Sequence, residues 1–215
     1  MEQFTEARVV SIIRNVNRPA ERTIILSDHR ELGPYDASSL IACTVTIGCE
    51  FTEELSERLA VAEQLHVAKQ LVMMYLSYAQ RTEVEVRRYL TKKDVSNDIQ
   101  DEVIAWLIEQ KWINDAEIGV YLVQKAKQSG TKQSKNMLAA KMLRRGIARV
   151  VVTQLIQNEE YDEMPGARLV ANKKWTELIR KQANNPQSLL VAYLSRKGYS
   201  HSTIRMVLNE INQND

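Results

Sequence analysis

The feature that most constrains the fold is a short pattern that the sequence repeats about every 50 residues. The pattern is an apolar pair, then adjacent basic residues, then a hydrophobic residue and the start of a new helix. It occurs at Tyr89-Leu90-Thr91-Lys92-Lys93, at Met142-Leu143-Arg144-Arg145-Gly146 and at Tyr193-Leu194-Ser195-Arg196-Lys197-Gly198. Such an internal repeat predicts a short array of helical modules rather than one large globule.

The first module has clear helix signals. Thr82 and Glu85 stand at the spacing of a capping box, in which each side chain accepts a hydrogen bond from the other residue's backbone amide. Ser96 or Asn97 is expected to cap the next helix, whose predicted apolar face consists of Val103, Ile104, Leu107 and Ile108. The aromatic residues at helical spacing are expected in the core rather than stacked on bases; they are Tyr75, Tyr78, Tyr89, Trp106 and Trp112.

The second and third modules carry matching stop and start signals. Gly146 is placed at the C′ position of one helix, and Gly198 is placed at the end of another. Asn185-Pro186 is expected to provide the N-cap and first residue of a helix, and Ser200 to cap the last one. The β-prone run Arg149–Thr153 is assigned to a helix because the flanking pattern outweighs propensity.

The first fifty residues have a different character. Ala7–Arg14 and Arg22–Leu26 are short and rich in Val and Ile, as strands are. Leu32–Tyr35 is either a third strand or a turn, and its proline favours a sheet edge. Cys43–Ile47 is β-branched and is predicted as a strand. Thr52 is a good N-cap for a helix that continues to Tyr78.

The predicted fold is therefore mainly α: tandem three-helix, helix-turn-helix-like repeats in an elongated, slightly curved array, preceded by a small β-rich region. The predicted domains are the β-rich region with its lead-in helix and three repeats, at 1–66, 67–114, 115–161 and 162–215.

Charge is distributed unevenly although the net charge is only +2. No acidic residue lies between Glu117 and Glu159, a stretch that contains many Lys and Arg residues. A basic region of this kind suits a negatively charged partner, and a solvated helix face gives the same count. The candidate partner-binding residues are Arg81, Arg87, Arg88, Lys125, Lys127, Lys132, Lys135, Lys141, Arg144, Arg145 and Arg149.

Nothing in the sequence indicates catalysis. His29, His66 and His201 are far apart, and no nucleophile elbow or phosphate-binding glycine loop is present, so we predict no enzyme activity, cofactor, metal or small-molecule substrate. Cys43 and Cys49 are expected to be thiols. The sequence lacks a signal peptide and any apolar run long enough to span a membrane, which predicts a cytoplasmic location.

These residues together resemble the signature of the RecX family. The resemblance begins in the run Tyr78–Glu83 with Glu85-Val86 and Tyr89-Leu90. It continues through Trp112–Asp115, Arg144–Ile147 and Arg196–Tyr199. It covers roughly Val67 to Ile211.

The resemblance implies a regulator of homologous recombination and the DNA-damage (SOS) response that binds RecA filaments on DNA. It implies inhibition of RecA ATPase and strand exchange, and so an effect on DNA repair. Single- or double-stranded DNA is a second candidate partner, through the basic middle repeat. The alternative is a stand-alone helix-turn-helix-like DNA-binding protein. Acidic residues on the helix from Asp98 to Gln110 argue against that alternative, because phosphates would repel them.

Overall fold

The structure is a computed structural model, and it describes residues 7–128, 133–158 and 161–214. The strands are β1 (Ala7–Arg14), β2 (Glu21–Leu26), β3 (Glu31–Asp36) and β4 (Glu50–Phe51). The helices are α1 (Ala37–Ala42), α2 (Glu53–Tyr78), α3 (Glu83–Thr91), α4 (Asn97–Glu109), α5 (Asp115–Gln128), α6 (Lys135–Arg145), α7 (Arg149–Asn158), α8 (Met164–Arg180), α9 (Pro186–Arg196) and α10 (His201–Asn214). The predicted fold class, mainly helical repeats behind a small sheet, is confirmed. The curvature of the array and the four domain boundaries stay predictions.

The chain divides into two compact units. Unit 1 contains Met1–Gln80 and Val86–Trp112, and unit 2 contains Arg81–Glu85 and Ile113–Asp215. Helix α3 therefore contributes its first turn to unit 2 and its remainder to unit 1. We refer to α2–α4, α5–α7 and α8–α10 as repeats 1, 2 and 3.

Unit 1 begins with an antiparallel sheet in the strand order β3-β2-β1-β4. Its inner face packs Val9, Ile24, Leu26 and Phe51 against Leu59 at the start of α2. The proline-containing β3 is an edge strand, which agrees with the predicted edge position. Thr52 caps α2 as predicted, because its Oγ1 accepts a hydrogen bond of 3.1 Å from the Leu55 amide.

The predicted strand at Cys43–Ile47 is wrong. Cys43 and Thr44 instead form the turn that ends α1, where Thr44 has a φ of 57° and the Val45 amide donates to the Leu40 carbonyl at 2.9 Å. β1 pairs instead with the two residues of β4. The requirement to close α1 outweighs the β propensity of the run.

Unit 2 contains two apolar clusters, one for each repeat. Ile118, Leu122, Leu138, Met142 and Ile147 belong to the cluster of repeat 2. The cluster of repeat 3 includes buried residues from α8, α9 and α10, among them Val170, Leu178, Leu190, Leu194, Tyr199, Ile204 and Val207. The β-prone run Arg149–Thr153 lies in α7, as the sequence pattern predicted.

A recurring hydrogen-bond arrangement joins successive elements within unit 2. Thr82 Oγ1 donates to the Arg145 carbonyl at 2.6 Å, and Ser134 Oγ donates to the Lys197 carbonyl at 2.8 Å. Both bonds span 63 residues. The hydroxyl that caps one helix thus also binds the last carbonyls of a helix from the following repeat.

A carboxylate completes each arrangement. The Glu83 amide donates to Asp115 Oδ1 at 3.0 Å, and the Lys135 amide donates to Glu163 Oε2 at 2.7 Å. We call the site around Thr82 the first junction and the site around Ser134 the second junction. In each junction the N-terminal amide of a helix binds a carboxylate placed at the start of the next repeat, where a negative charge suits the helix dipole.

A glycine lies against each junction. Gly146 has a φ of 97°, and a Cβ built on it would lie 2.4 Å from Val84 Cβ. Gly198 has a φ of 79°, and its Cβ would lie 2.8 Å from Ser134 Oγ. The residue that follows α3 at the corresponding position of repeat 1 is Asp94, with a φ of 57°. The helix of repeat 3 that corresponds to α3 and α6 begins with Pro186, which has no amide hydrogen to donate.

Candidate functional site

The most basic part of the chain folds into repeat 2, and helix α6 carries its clearest exposed surface. The helix begins at Ser134, whose Oγ accepts from the Met137 amide at 3.1 Å, and it ends at the left-handed Gly146. Leu138 and Met142 are buried. The opposite side of the helix therefore exposes Met137, Lys141 and Arg144, which are spaced by four and three residues.

The start of α7 adds to this surface. Ile147 is buried, whereas Arg149 and Val150 are exposed, Val150 to 68%. We call Met137, Lys141, Arg144, Arg149 and Val150 the basic surface of repeat 2. It combines three cations with exposed apolar side chains, a composition that suits a partner offering both negative charge and apolar contact.

The remaining lysines predicted in this region lie on other elements. Lys125 and Lys127 are exposed on α5, where Lys125 Nζ lies 5.6 Å from the centroid of the Tyr121 ring. Because they are two residues apart, these lysines do not share a helix face. Lys135 is exposed in the first turn of α6. Lys132 lies outside the described residues.

Arg145 differs from its neighbour Arg144 because it faces the interior of unit 2. Its Nε and Nη2 donate to Glu85 at 2.9 and 2.8 Å, and both side chains are largely covered, with 24% and 20% of their surfaces exposed. Burial alone would raise the pKa of Glu85, but hydrogen bonds from Arg145 and from the Thr82 amide outweigh it and lower the pKa. Arg145 therefore stabilises the first junction, and we leave it out of the proposed partner-binding surface.

The three arginines predicted at the start of repeat 1 have different surroundings. Arg81 is half-buried next to the capping box, and its charge contributes to the lowered pKa of Glu85. Arg87 donates to Asp101 Oδ1 at 2.6 Å. Arg88 is exposed. The three arginines therefore differ in their exposure and in the side chains around them.

The aromatic residues of repeat 1 were predicted to lie in the core, and this prediction is wrong for Tyr78 and Trp112. Tyr78 is 78% exposed and Trp112 is 51% exposed. Tyr75 and Tyr89 are half-buried and stack on each other at 4.2 Å between ring centroids. Helical spacing indicated a shared face, but it did not show that two helices would meet only along part of that face.

Helix α4 has an acidic surface, which was predicted from the sequence only as an obstacle to DNA binding. Asp98, Glu102 and Glu109 are exposed along one stripe of this helix, and α4 contains no basic residue. Ile108, which precedes Glu109 in the helix, and Trp112, three residues after Glu109, are also exposed. The prediction that Ile108 shares the buried face of α4 is wrong, because Ile108 is 52% exposed. The signal that could have revealed this surface was the spacing of Asp98, Glu102 and Glu109, which places the three on one side of a helix.

Potential metal ligands are not clustered in the part of the chain that the structure describes. Within it, no group of three or more His, Cys, Asp or Glu side chains could hold a metal ion. No described helix is both long and apolar enough to cross a membrane. The most prominent features are oppositely charged surfaces on α4 and on α6–α7.

The fold and its surfaces define a class of protein: a tandem array of three-helix modules behind a small sheet, with charged faces suited to binding. Residues 68–107 match the family model described as RecX, first three-helix domain. Two proteins named regulatory protein RecX, from Streptococcus pneumoniae strains G54 and Hungary19A-6, are 32% and 33% identical over 164 residues. Each match covers 74% of this chain and 60% of the relative, so the chain spans about 60% of the length of those curated relatives.

Solved structures agree at the level of the fold. A crystal structure of regulatory protein RecX superimposes with a TM-score of 0.81 at 22% identity, covering 94% of this chain and 99% of that one. RecX from Lactobacillus salivarius gives a TM-score of 0.63 at 21% identity, covering 71% of this chain and 99% of that one. The chain belongs to the RecX family.

Proposed function

We propose that the protein is a cytoplasmic regulator that binds RecA filaments on DNA and inhibits RecA ATPase and strand exchange, and thereby recombination and repair. Family membership supports this proposal, because the curated relatives are named regulatory proteins. The protein acts by binding and not by catalysis. Its partner is the RecA filament, with the DNA within that filament as a further point of contact.

The observation that carries the proposal is the basic surface of repeat 2. Lys141, Arg144 and Arg149 are exposed there, and the sequence from Ile118 to Asn158 contains no acidic residue to neutralise them. A surface of this kind attracts phosphates and acidic protein surfaces over a distance of about 10 Å at moderate salt. The exposed Met137 and Val150 add apolar contact that a purely electrostatic encounter would lack.

The alternative, a stand-alone helix-turn-helix DNA-binding protein, has less support. The last helix of a helix-turn-helix module usually enters the major groove and needs side chains compatible with phosphates. In repeat 1 this helix is α4, which exposes Asp98, Glu102 and Glu109. Negative charges in that position oppose insertion into a groove.

The test is a titration of the protein into RecA's DNA-dependent ATPase assay. The wild type is compared with Lys141→Glu/Arg144→Glu and with a matched control, Lys173→Glu/Arg180→Glu, which reverses two exposed cations on α8. We expect the wild type and the control to inhibit, and the α6 variant to need about tenfold more protein or greater for the same inhibition. Circular dichroism verifies that all three fold alike.

Three outcomes would contradict the proposal, the first two in its target and the third in its contact surface. If the wild type leaves the ATPase unchanged, RecA is not its target. If the wild type nevertheless binds DNA alone, with an affinity that falls steeply as salt rises, the DNA-binding alternative replaces the proposal. If the α6 variant inhibits as strongly as the wild type, the basic surface of repeat 2 is not the contact.

A further inference from the structure

The exposed stripe of α4 is the most acidic surface on any of the described third helices of the repeats. Asp98, Glu102 and Glu109 follow one another at spacings of four and seven residues, which places them on one side of the helix. Asp101 lies beside them and is held by Arg87. We call Asp98, Glu102, Ile108, Glu109 and Trp112 the acidic surface of α4.

Trp112 supplies a fixed apolar anchor on this surface. Its ring stacks on Trp106 at 6.5 Å between centroids with 23° between the planes, and Lys69 Nζ lies 4.9 Å from the Trp106 centroid. The stack holds the Trp112 ring in place while leaving 51% of the residue exposed. A rigid, half-exposed indole beside an exposed isoleucine is typical of the anchor residues at protein interfaces.

The corresponding helices of the other repeats lack this combination. Helix α7 contains no acidic residue. Helix α10 has Glu210, but both of its carboxylate oxygens accept hydrogen bonds from Arg168, at 2.6 and 2.8 Å. The acidic surface is therefore a property of α4 and not of the three-helix fold itself.

A partner for the acidic surface must be cationic and must offer apolar contact. The basic surface of repeat 2 has both properties, since Lys141, Arg144 and Arg149 accompany the exposed Met137 and Val150. Nucleic acid is disfavoured because its phosphates would face three carboxylates. We propose that the acidic surface of α4 in one copy of this chain binds the basic surface of repeat 2 in a second copy.

This contact is heterologous, because two different surfaces meet, and it leaves one surface of each kind available for a further copy. It also covers the surface that carries the proposed function. Free protein is then partly self-associated, and a polyanion releases it by competing for Lys141, Arg144 and Arg149. The self-association itself does not depend on the proposed function, because it is measured without RecA or DNA.

The test is sedimentation of the full chain at rising concentration, between about 50 mM and about 500 mM salt. We expect the weight-average mass to rise above the 24.7 kDa of one chain at low salt and to return to it at high salt. The variants Glu102→Lys/Glu109→Lys and Lys141→Glu/Arg144→Glu should each associate about tenfold more weakly. An equimolar mixture of the two should regain association, because the α4 lysines of one then face the α6 glutamates of the other.

Matched controls separate this contact from a general charge effect. Glu31→Lys/Glu57→Lys and Lys173→Glu/Arg180→Glu make the same changes at exposed residues elsewhere, and both should associate like the wild type. The proposal is overturned if the wild type stays monomeric at low salt, if either test variant associates like the wild type, or if the mixture fails to recover. A change in Trp112 fluorescence on adding an oligonucleotide to a Trp106→Phe/Trp175→Phe/Lys141→Glu/Arg144→Glu variant, in which the basic surface of repeat 2 is removed and self-association is lost, would instead assign the acidic surface to nucleic acid and overturn the proposal.

Discussion

The two junctions of unit 2 share one plan but differ in their electrostatics. In both, a capping hydroxyl donates to a helix C-terminal carbonyl 63 residues later, and a helix amide donates to a carboxylate. The first junction adds the Glu85–Arg145 ion pair. At the second junction, Met137 occupies the place of Glu85, three residues after the capping hydroxyl, and it is exposed.

The carboxylates of the two junctions are also stabilised differently. Glu163 accepts hydrogen bonds from the Lys135 and Ser200 amides and from Thr203 Oγ1, at 2.7, 3.2 and 2.7 Å. Asp115 accepts from the Glu83 amide at 3.0 Å and has the like charges of Glu83 and Glu85 nearby. The backbone part of the junction is thus common to both, whereas the side chains that satisfy it vary between them.

The largest expected effect is that of Gly146→Ala at the first junction. The added Cβ would overlap Val84, and this overlap costs about 1–3 kcal/mol. Alanine also disfavours the left-handed backbone conformation of this position, by about 1–2 kcal/mol. We expect the free energy of unfolding to fall by about 4 kcal/mol, measured by urea denaturation with circular dichroism.

Gly48→Ala is the matched control for this substitution. Gly48 has a φ of 92°, and a Cβ there would meet no atom within 4 Å. Its substitution should cost only the backbone strain, about 1–2 kcal/mol. Equal losses for the two variants would show that the contact with Val84 contributes nothing.

The next largest effect is a difference in stability between Glu163→Gln and Asp115→Asn, which neutralise the carboxylates of the two junctions. Glu163→Gln replaces an oxygen that only accepts hydrogen bonds with an amide that must donate, and hydrogen bonds to a charged group contribute about 1.5–3 kcal/mol each. We expect a loss of about 3 kcal/mol for Glu163→Gln, against about 1 kcal/mol or less for Asp115→Asn, whose Oδ1 still accepts from the Glu83 amide.

Trp175 provides the measurement. In a Trp106→Phe/Trp112→Phe background it is the remaining tryptophan of the three in the chain, and it packs against the apolar cluster of repeat 3. Urea unfolding of unit 2 can then be followed through its fluorescence. Similar losses for Glu163→Gln and Asp115→Asn would mean that the two junctions do not differ as described.

The smallest expected effect is an opposite response of the two junctions to acid. Burial alone would raise the pKa of Glu163, but its hydrogen bonds outweigh burial and lower the pKa below the ordinary 4.5. Burial raises the pKa of Asp115 above the ordinary 3.8, and repulsion from the charges of Glu83 and Glu85 raises it further. The hydrogen bond from the Glu83 amide acts in the opposite direction, but it does not cancel this rise.

The signs follow from these directions. The stability that Glu163 contributes is present above pH 4.5 and is lost as the pH falls through its lower folded value. At neutral pH the ionised Asp115 lowers the free energy of unfolding. This loss of stability is relieved as the pH falls through the raised pKa that Asp115 has in the folded state. Urea unfolding between about pH 7 and about pH 3 should therefore show a shallower acid loss in Glu163→Gln and a steeper one in Asp115→Asn. Parallel profiles in the wild type and both variants would contradict the assignment.

The sequence revealed those parts of the fold that rest on neighbouring residues. The capping box of Thr82 and Glu85, the left-handed Gly146 and the helix start at Pro186 were all predicted, because each depends on residues within one helical turn. The Glu85–Arg145 pair was not predicted, since its partners are 60 residues apart in the chain. Charge counting therefore grouped Arg145 with Arg144, although one faces the interior and the other faces solvent.

The same distinction applies to the candidate surfaces. The absence of acidic residues between Glu117 and Glu159 is a property of the sequence, so the basic region could be recognised at once. The structure was needed to find which basic residues share an exposed helix face, because that face lies opposite the buried Leu138 and Met142. Trp112 was wrongly predicted in the core, because it follows the end of α4 and the helical period does not extend to it.

Asp94 and Pro186 have a consequence for how many repeats such a chain can accommodate. A further repeat docking onto α3 would need a glycine where Asp94 has a Cβ, and one docking at the start of α9 would need the amide that Pro186 lacks. Repeats 1 and 3 therefore lack, at these positions, the groups with which the two junctions of unit 2 are built. An engineer who wished to insert another module would have to restore glycine at position 94, or a hydroxyl and an amide at positions 185 and 186, before the new interface could close.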